Sequence, residues 1–150
     1  VSTHLMAIIK RTIKIAAKPE DVFDLISRVE DFPKYSSLIT YVKKFRPNRY
    51  KWKAHINGLW FEWYSVFVHR EKPKHISWRS ISGIKSHGDY WLQPVEGGTK
   101  VIFRMEYHLP SHLMERVLKY ILTPLIDRVF LEALFNIKRK LENDTNKVAT

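Results

Sequence analysis

The apolar and polar positions of this chain change period twice. Residues 7–16 alternate, with Ile9, Ile13 and Ile15 on one side and Lys10, Thr12 and Lys14 on the other, the period of two of a half-buried strand. Arg11 interrupts the apolar side. Lys18-Pro19-Glu20-Asp21 then opens a helix, because proline suits a first-turn position and acids there face the positive end of the helix dipole. Val22, Phe23, Leu25, Ile26 and Val29 give this helix a buried face. Asp31 is the expected cap of a second short helix over Phe32-Pro33-Lys34-Tyr35, which Ser36-Ser37 ends.

From residue 38 the period returns to two, and turn signals come at short intervals. Residues 38–45 form a strand, and Pro47-Asn48 turns the chain. Residues 50–56 set Trp52, Ala54 and Ile56 against Lys51, Lys53 and His55, so one face is wet. Asn57-Gly58 is the dipeptide of a type I′ hairpin. Residues 59–70 make a long strand with aromatic residues on both faces, and the pattern does not fix its inward side. Residues 75–81 put Ile76, Trp78 and Ser80 on one side before a turn at Ser82-Gly83, and residues 86–93 do the same with Gly88, Tyr90 and Leu92. After a tight turn at Glu96-Gly97-Gly98, residues 100–108 alternate most clearly, with Val101, Phe103, Met105 and Tyr107 on one face.

The period then becomes helical over residues 111–142, with Ser111 as the expected cap. Leu125, Ile126, Val129, Phe130, Ala133, Leu134, Ile137 and Leu141 make one apolar stripe, and Asp127, Arg128, Glu132, Asn136, Arg139 and Lys140 fill the other side. A helix of about 45 Å at 1.5 Å per residue needs a broad surface against it. Pro124 either kinks it or restarts it with Thr123 as cap. The half before Pro124, with Leu118, Ile121 and Leu122, is expected to shape an entrance, and the half after it to anchor the sheet. Sequential hairpins imply an antiparallel sheet, and its dry face must take the helix. The expected fold is α+β: a seven-stranded curled antiparallel sheet around a long C-terminal helix, with two short helices after the first strand. Such a grip leaves room for a cavity.

The 150 residues contain no Gly/Ser-rich or Pro-rich linker, so one domain over 1–150 is expected, with 1–5 an expression remnant ahead of Met6 and 143–150 a flexible tail. The hydrophobic fraction of 45% excludes disorder, and the five Trp, seven Tyr and eight Phe either fill a core or line a cavity. There is no cysteine, which excludes disulfides, thiolate metal sites and thiol nucleophiles. With no signal-peptide pattern and no apolar run near the ~20 residues of a membrane span, the expected location is cytoplasmic. The net charge of +11 favours an anionic partner such as a ribosome, RNA or an anionic lipid surface. The charge is spread in short clusters, as on an ordinary solvated surface, and Lys138-Arg139-Lys140 is the place on the last helix for such a contact.

Four stretches carry a resemblance: residues 15–23, reading IAAKPEDVF; residues 29–35, reading VEDFPKY; residues 76–80, reading ISWRS; and residues 98–101, reading GTKV. In this order and spacing they resemble the START-like (SRPBCC) helix-grip superfamily, and VEDFPKY is most similar to its polyketide cyclase/dehydrase and coenzyme Q-binding branch. The resemblance implies a site for an apolar or aromatic small molecule, a quinone or polyketide, between the sheet and the last helix. Some relatives act in ribosome association instead. The superfold hosts binding proteins and enzymes alike.

Chemistry-bearing patterns are few. His108 and His112 are four apart, but Pro110 interrupts any helix that would align them, so no metal site is expected. No phosphate-cradling glycine loop or nucleophile elbow occurs, and no cofactor is expected. An enzyme on this fold needs an acid or base in an apolar cavity. The weak candidates are Glu62, Tyr90 and Tyr107. For Glu62 the competing placement is the wet face, paired with a lysine. The expected sheet side of the cavity is Trp52, Trp78, Tyr90, Phe103 and Tyr107, and the helix side Leu122, Ile126, Val129 and Phe130. Three functions follow: a carrier or binding protein for a lipid, quinone or polyketide-like molecule; a cyclase or dehydratase acting on such a molecule; or an interaction module using the basic surface.

Overall fold

The computed structural model describes residues 5–109 and 115–149, with the side chains of residues 5, 109, 115–119, 121, 122 and 145–149 outside that description. The chain runs through β1 (Leu5–Ile15), α1 (Pro19–Ser27), a 3-10 turn (Val29–Asp31), α2 (Phe32–Tyr35), β2 (Ile39–Arg46), β3 (Arg49–Ile56), β4 (Leu59–Glu71), β5 (His75–Ser82), β6 (Lys85–Val95), β7 (Gly98–Leu109) and α3 (Glu115–Ala149). The strands form one antiparallel sheet in the order β1-β7-β6-β5-β4-β3-β2. Hairpins join β2 to β7 in sequence, and β1 closes against β7 through an eleven-residue register from Leu5↔Leu109 to Ile15↔Thr99. The curled sheet holds α3 on its inner face, the helix-grip arrangement expected from the element order.

Local chemistry places the turns. Asn57 and Gly58 both take positive φ, 51° and 80°, as a type I′ hairpin requires. The two-residue turn fixes Ile56 opposite Leu59 and therefore Trp52 opposite Trp63. Gly98 opens β7 against the end of β1, where a Cβ would lie 2.1 Å from the Ile15 carbonyl oxygen. Beside it the buried Thr99 hydroxyl donates to the Ala17 carbonyl at 2.7 Å. This contact ties the start of β7 to the segment leading into α1, and it gives the Gly-Thr pair a structural reason.

The helical stripe divides along its length. Ala133, Leu134, Ile137 and Leu141 are fully packed, and α3 meets β1, α1 and α2. Polar residues beside the stripe bond to the rest of the chain instead of facing only water. Glu132 accepts from the Ser37 N–H at 2.7 Å and from its hydroxyl at 3.0 Å. Asn136 donates to the Tyr35 carbonyl at 2.7 Å, and Lys138 to the Lys14 carbonyl at 2.9 Å. Arg11, the residue that interrupts the apolar side of β1, reaches Asp127 at 2.7 Å.

Several details differ from expectation. Asp31 makes no side-chain cap bond; its carboxylate is 3.3 Å from Lys34 Nζ. The helix is continuous through Pro124 rather than restarted there, and the Thr123 hydroxyl pairs with that of Tyr107. It also runs past residue 142 to Ala149, so the expected tail is helical over 143–149. Ser111 and His112 lie outside the described residues, as do the side chains of Leu118, Ile121 and Leu122.

Candidate functional site

Between the inner face of β3–β6 and the first turns of α3 after Pro124 lies a cavity of about 290 Å³, close to the lower end of the range of roughly 300–1,000 Å³ typical of small-molecule sites. Four groups of residues make its walls. Tyr50, Trp52, Ala54 and Ile56 come from β3; Phe61, Trp63, Ser65 and Phe67 from β4; Trp78 and Ser80 from β5, with Tyr90 from β6 and Met105 from β7; and Leu125, Ile126, Val129 and Phe130 from α3. Ile26, Val29 and Phe32 close one end. They belong to α1, to the 3-10 turn after it and to the start of α2 respectively, which is why those short helices carry so many large residues.

Aromatic packing holds the walls in place. Trp52 and Trp63 stack with centroids 5.6 Å apart, and Phe32 meets Trp52 edge-on at 5.2 Å. Phe130 stacks on Trp78 at 5.7 Å and on Phe103 at 4.7 Å, which makes it the joint between helix and sheet. Offset and edge contacts of this kind add about 0.5–1.5 kcal/mol each beyond the area they bury. Some of the few polar wall atoms are used within the wall. Trp52 Nε1 donates to the Ser65 hydroxyl at 2.8 Å, and the Ser86 N–H donates to the Ser80 hydroxyl at 2.9 Å. The interior therefore offers flat apolar surfaces with little unsatisfied polarity.

The two tyrosines of the wall differ from these groups. Tyr50 and Tyr90 are both buried, and neither hydroxyl is hydrogen-bonded to a described residue. For Tyr90, burial alone pushes the pKa well above the ordinary 10.0, so the group is a neutral donor and not a base.

Of the residues expected to form the site, the structure brings Trp52, Trp78, Tyr90, Ile126, Val129 and Phe130 together around the cavity. Phe103 and Tyr107 are not among its lining residues. They share the inward face of β7 with Met105, but Phe130 covers Phe103 and Tyr107 is fully buried, bonded to Thr123. The Leu122 side chain lies outside the described residues. Glu62 borders the cavity, but its carboxylate is exposed and 3.2 Å from Lys51 Nζ. The lysine hydrogen bond holds it below the usual carboxylate range, which is the wet-face placement and not a buried acid. The inward side of β4, open in the sequence, is that of Phe61, Trp63, Ser65 and Phe67. A register shift between Phe67 and His69 then changes the parity of the strand.

The other charged groups lie away from the cavity. His75 stacks on Trp91 at 3.6 Å and is 2.6 Å from Asp89; none of the three lines the cavity. No group of three or more potential metal ligands occurs among the described residues. At the basic end of α3, Lys138 is 2.6 Å from Glu142 and Lys140 is 3.7 Å from Asp144. No described helix is long and apolar enough to cross a membrane.

The chain belongs to the family described as polyketide cyclase / dehydrase and lipid transport, whose model matches residues 6–142. Solved structures agree in fold. The protein TTHA0849 from Thermus thermophilus superposes with a TM-score of 0.79 at 17% identity, covering 92% of this chain and 99% of the other. The Zhui aromatase/cyclase from Streptomyces sp. R1128 gives 0.78 at 12% identity, covering 94% and 96%. A START superfamily protein from Mycobacterium smegmatis gives 0.72 at 12%, covering 91% and 97%. At these identities the likeness is one of fold. No curated protein sequence gives a significant match.

Proposed function

We propose that this protein binds a hydrophobic small molecule of ring-like, partly planar shape, of the lipid, quinone or polyketide-like class, in the cavity between the sheet and α3. The observation that carries this reading is the combination of an apolar volume of about 290 Å³ with flat aromatic walls that hold few polar atoms, two of which, the Trp52 indole N–H and the Ser80 hydroxyl, are used within the wall. Empty apolar space costs stability, on the order of 24 cal/mol per Å³ in protein cores, so a cavity of this size is a destabilising feature that a ligand would relieve. The Tyr90 hydroxyl then serves as a directional contact, donating to a carbonyl or hydroxyl oxygen of the ligand.

Family membership supports hydrophobic ligand binding or a cyclase role without choosing between them. Binding is favoured over catalysis by the ionisable groups at the cavity. Glu62 is exposed and ion-paired, and Tyr90 holds its proton more tightly than free tyrosine. Native mass spectrometry of protein purified from its own source, followed by extraction of the bound molecule, tests the reading. A stoichiometric apolar adduct is expected. Protein that is uniformly free of ligand and fails to take up apolar molecules would overturn it.

A further inference from the structure

The cavity opens at one end of the sheet, and that end carries an unusual concentration of exposed apolar side chains. Phe61 and Ile84 both line the cavity and are exposed at its surface, which locates the mouth between the β3–β4 hairpin and the β5–β6 turn. The alternation of hairpins places those two turns, the start of β1 and the start of α3 at the same end. At the hairpin tip Leu59 is 63% and Trp60 66% exposed, and on α3, five residues before the cavity-lining Leu125, Tyr120 is 81% exposed. These fractions are high for side chains of this size, and they come from two separate elements, β4 and α3, with Ile84 in the β5–β6 turn a third source. Leu59 and Trp60 are not needed for the hairpin, since the Asn57-Gly58 turn would close as well with polar neighbours. Exposed apolar side chains gathered at one end of a molecule mark an interaction site.

From this arrangement we infer that the mouth of the cavity docks on a lipid bilayer surface, with Leu59, Trp60 and Ile84 entering the interfacial layer. Three features select a bilayer over a protein partner. The aromatic members include Trp and Tyr, whose amphipathic rings favour the membrane–water interface. Lysines stand beside the apolar tips: Lys85 follows Ile84, and Lys53 lies on β3 two residues from His55, whose ring stacks on Trp60 at 4.4 Å. Glu62, two residues along β4 from Trp60, is already held by Lys51. With a net charge of +11, this end would be drawn to anionic headgroups while the tips insert. Docking there would let an apolar ligand pass between membrane and cavity without crossing water. That consequence rests on the binding function proposed above, whereas the docking itself does not.

Cosedimentation of the full chain with vesicles of phosphatidylcholine containing phosphatidylglycerol, with no ligand added, tests the inference. Wild-type protein is expected to partition onto the vesicles. Trp60→Asp and Leu59→Asp, both at exposed positions at the start of β4, should each weaken partition by about tenfold or more. Val68→Asp, at an equally exposed apolar residue outside the mouth, should partition like wild type. Absence of partition, equal partition by all three variants, or an equal loss for Val68→Asp would overturn it. So would concentration-dependent self-association abolished by Trp60→Asp in protein that ignores vesicles, which would make the patch an interface between copies. Titration with a soluble apolar fluorophore in the absence of vesicles reports the cavity separately, and Trp60→Asp should leave that affinity unchanged.

Discussion

Gly88 on β6 stands directly opposite Trp78 on β5, and the Trp78 indole fills the space that a side chain at Gly88 would need. A Cβ there would lie 2.6 Å from Trp78 Cζ2 and 3.0 Å from the Arg104 carbonyl oxygen. Because the position is empty, the indole lies close to the sheet, nearly parallel to Phe130 on α3, and the volume beside it stays open. Gly88→Ala is expected to push the indole towards Phe130 and into the cavity. The overpacking should cost about 1–3 kcal/mol and lower the affinity for an apolar fluorophore. Denaturant unfolding and fluorophore titration check both effects, and an alanine variant with wild-type values in each would contradict the role given to this pair.

Tyr90 makes a prediction about pH. Its hydroxyl is buried and its pKa is raised by that burial, so above the ordinary value of 10.0 the unfolded chain loses this proton while the folded chain keeps it. The unfolded state then binds fewer protons, and stability falls as pH rises above 10. Tyr50, raised mainly by burial with a further contribution from Glu30, adds to the same slope. Tyr90→Phe should flatten the alkaline decline measured by unfolding at a series of pH values. At neutral pH it should leave stability within about 1 kcal/mol of wild type, since no hydrogen bond to a described residue is lost. The same variant should weaken binding of carbonyl-bearing ligands more than that of a pure hydrocarbon. A slope identical to wild type would show that the group ionises in the folded protein.

Pro124 lies inside α3, one residue before the cavity-lining Leu125 and Ile126. It removes the N–H that would bond to the Tyr120 carbonyl. Pro124→Ala should stabilise the helix, by at most about 3 kcal/mol, and change ligand affinity by redirecting Leu125 and Ile126. Thermal unfolding and fluorophore titration measure the two. Equal affinity in both forms would separate the proline from the shape of the site.

Most of the fold was legible in the sequence because period and turn chemistry agree at nearly every element. The alternation of Val101, Phe103, Met105 and Tyr107 gave the inner face of β7, and Pro19 with two acids behind it gave the start of α1. The site was less legible. Parity shows which face a residue takes but not whether another side chain covers it, so Met105 lines the cavity while Phe103 lies under Phe130. β4 was ambiguous because its outer face is aromatic too, with Trp60 against His55 and Tyr64 against Phe45. A signal was present: counting outward from the two-residue Asn57-Gly58 turn pairs Ala54 with Phe61, Trp52 with Trp63 and Tyr50 with Ser65. The contributions of Ile26, Val29 and Phe32 depend on how α1 and α2 pack against the sheet, which no local pattern records.

The central claim is that the space between the sheet and α3 is a binding site and not a packing defect. Saturable titration of the full chain with an apolar fluorophore, in wild type and in Ile126→Trp, tests it most directly. Ile126 is half-buried on the helix wall, and the larger ring should occupy the cavity without displacing the packed stripe beyond Ala133. Wild-type protein is expected to bind one equivalent, and Ile126→Trp to bind at least about tenfold more weakly at an unchanged or higher melting temperature. Absence of saturable binding by wild type, or equal binding by the filled variant, would contradict the account.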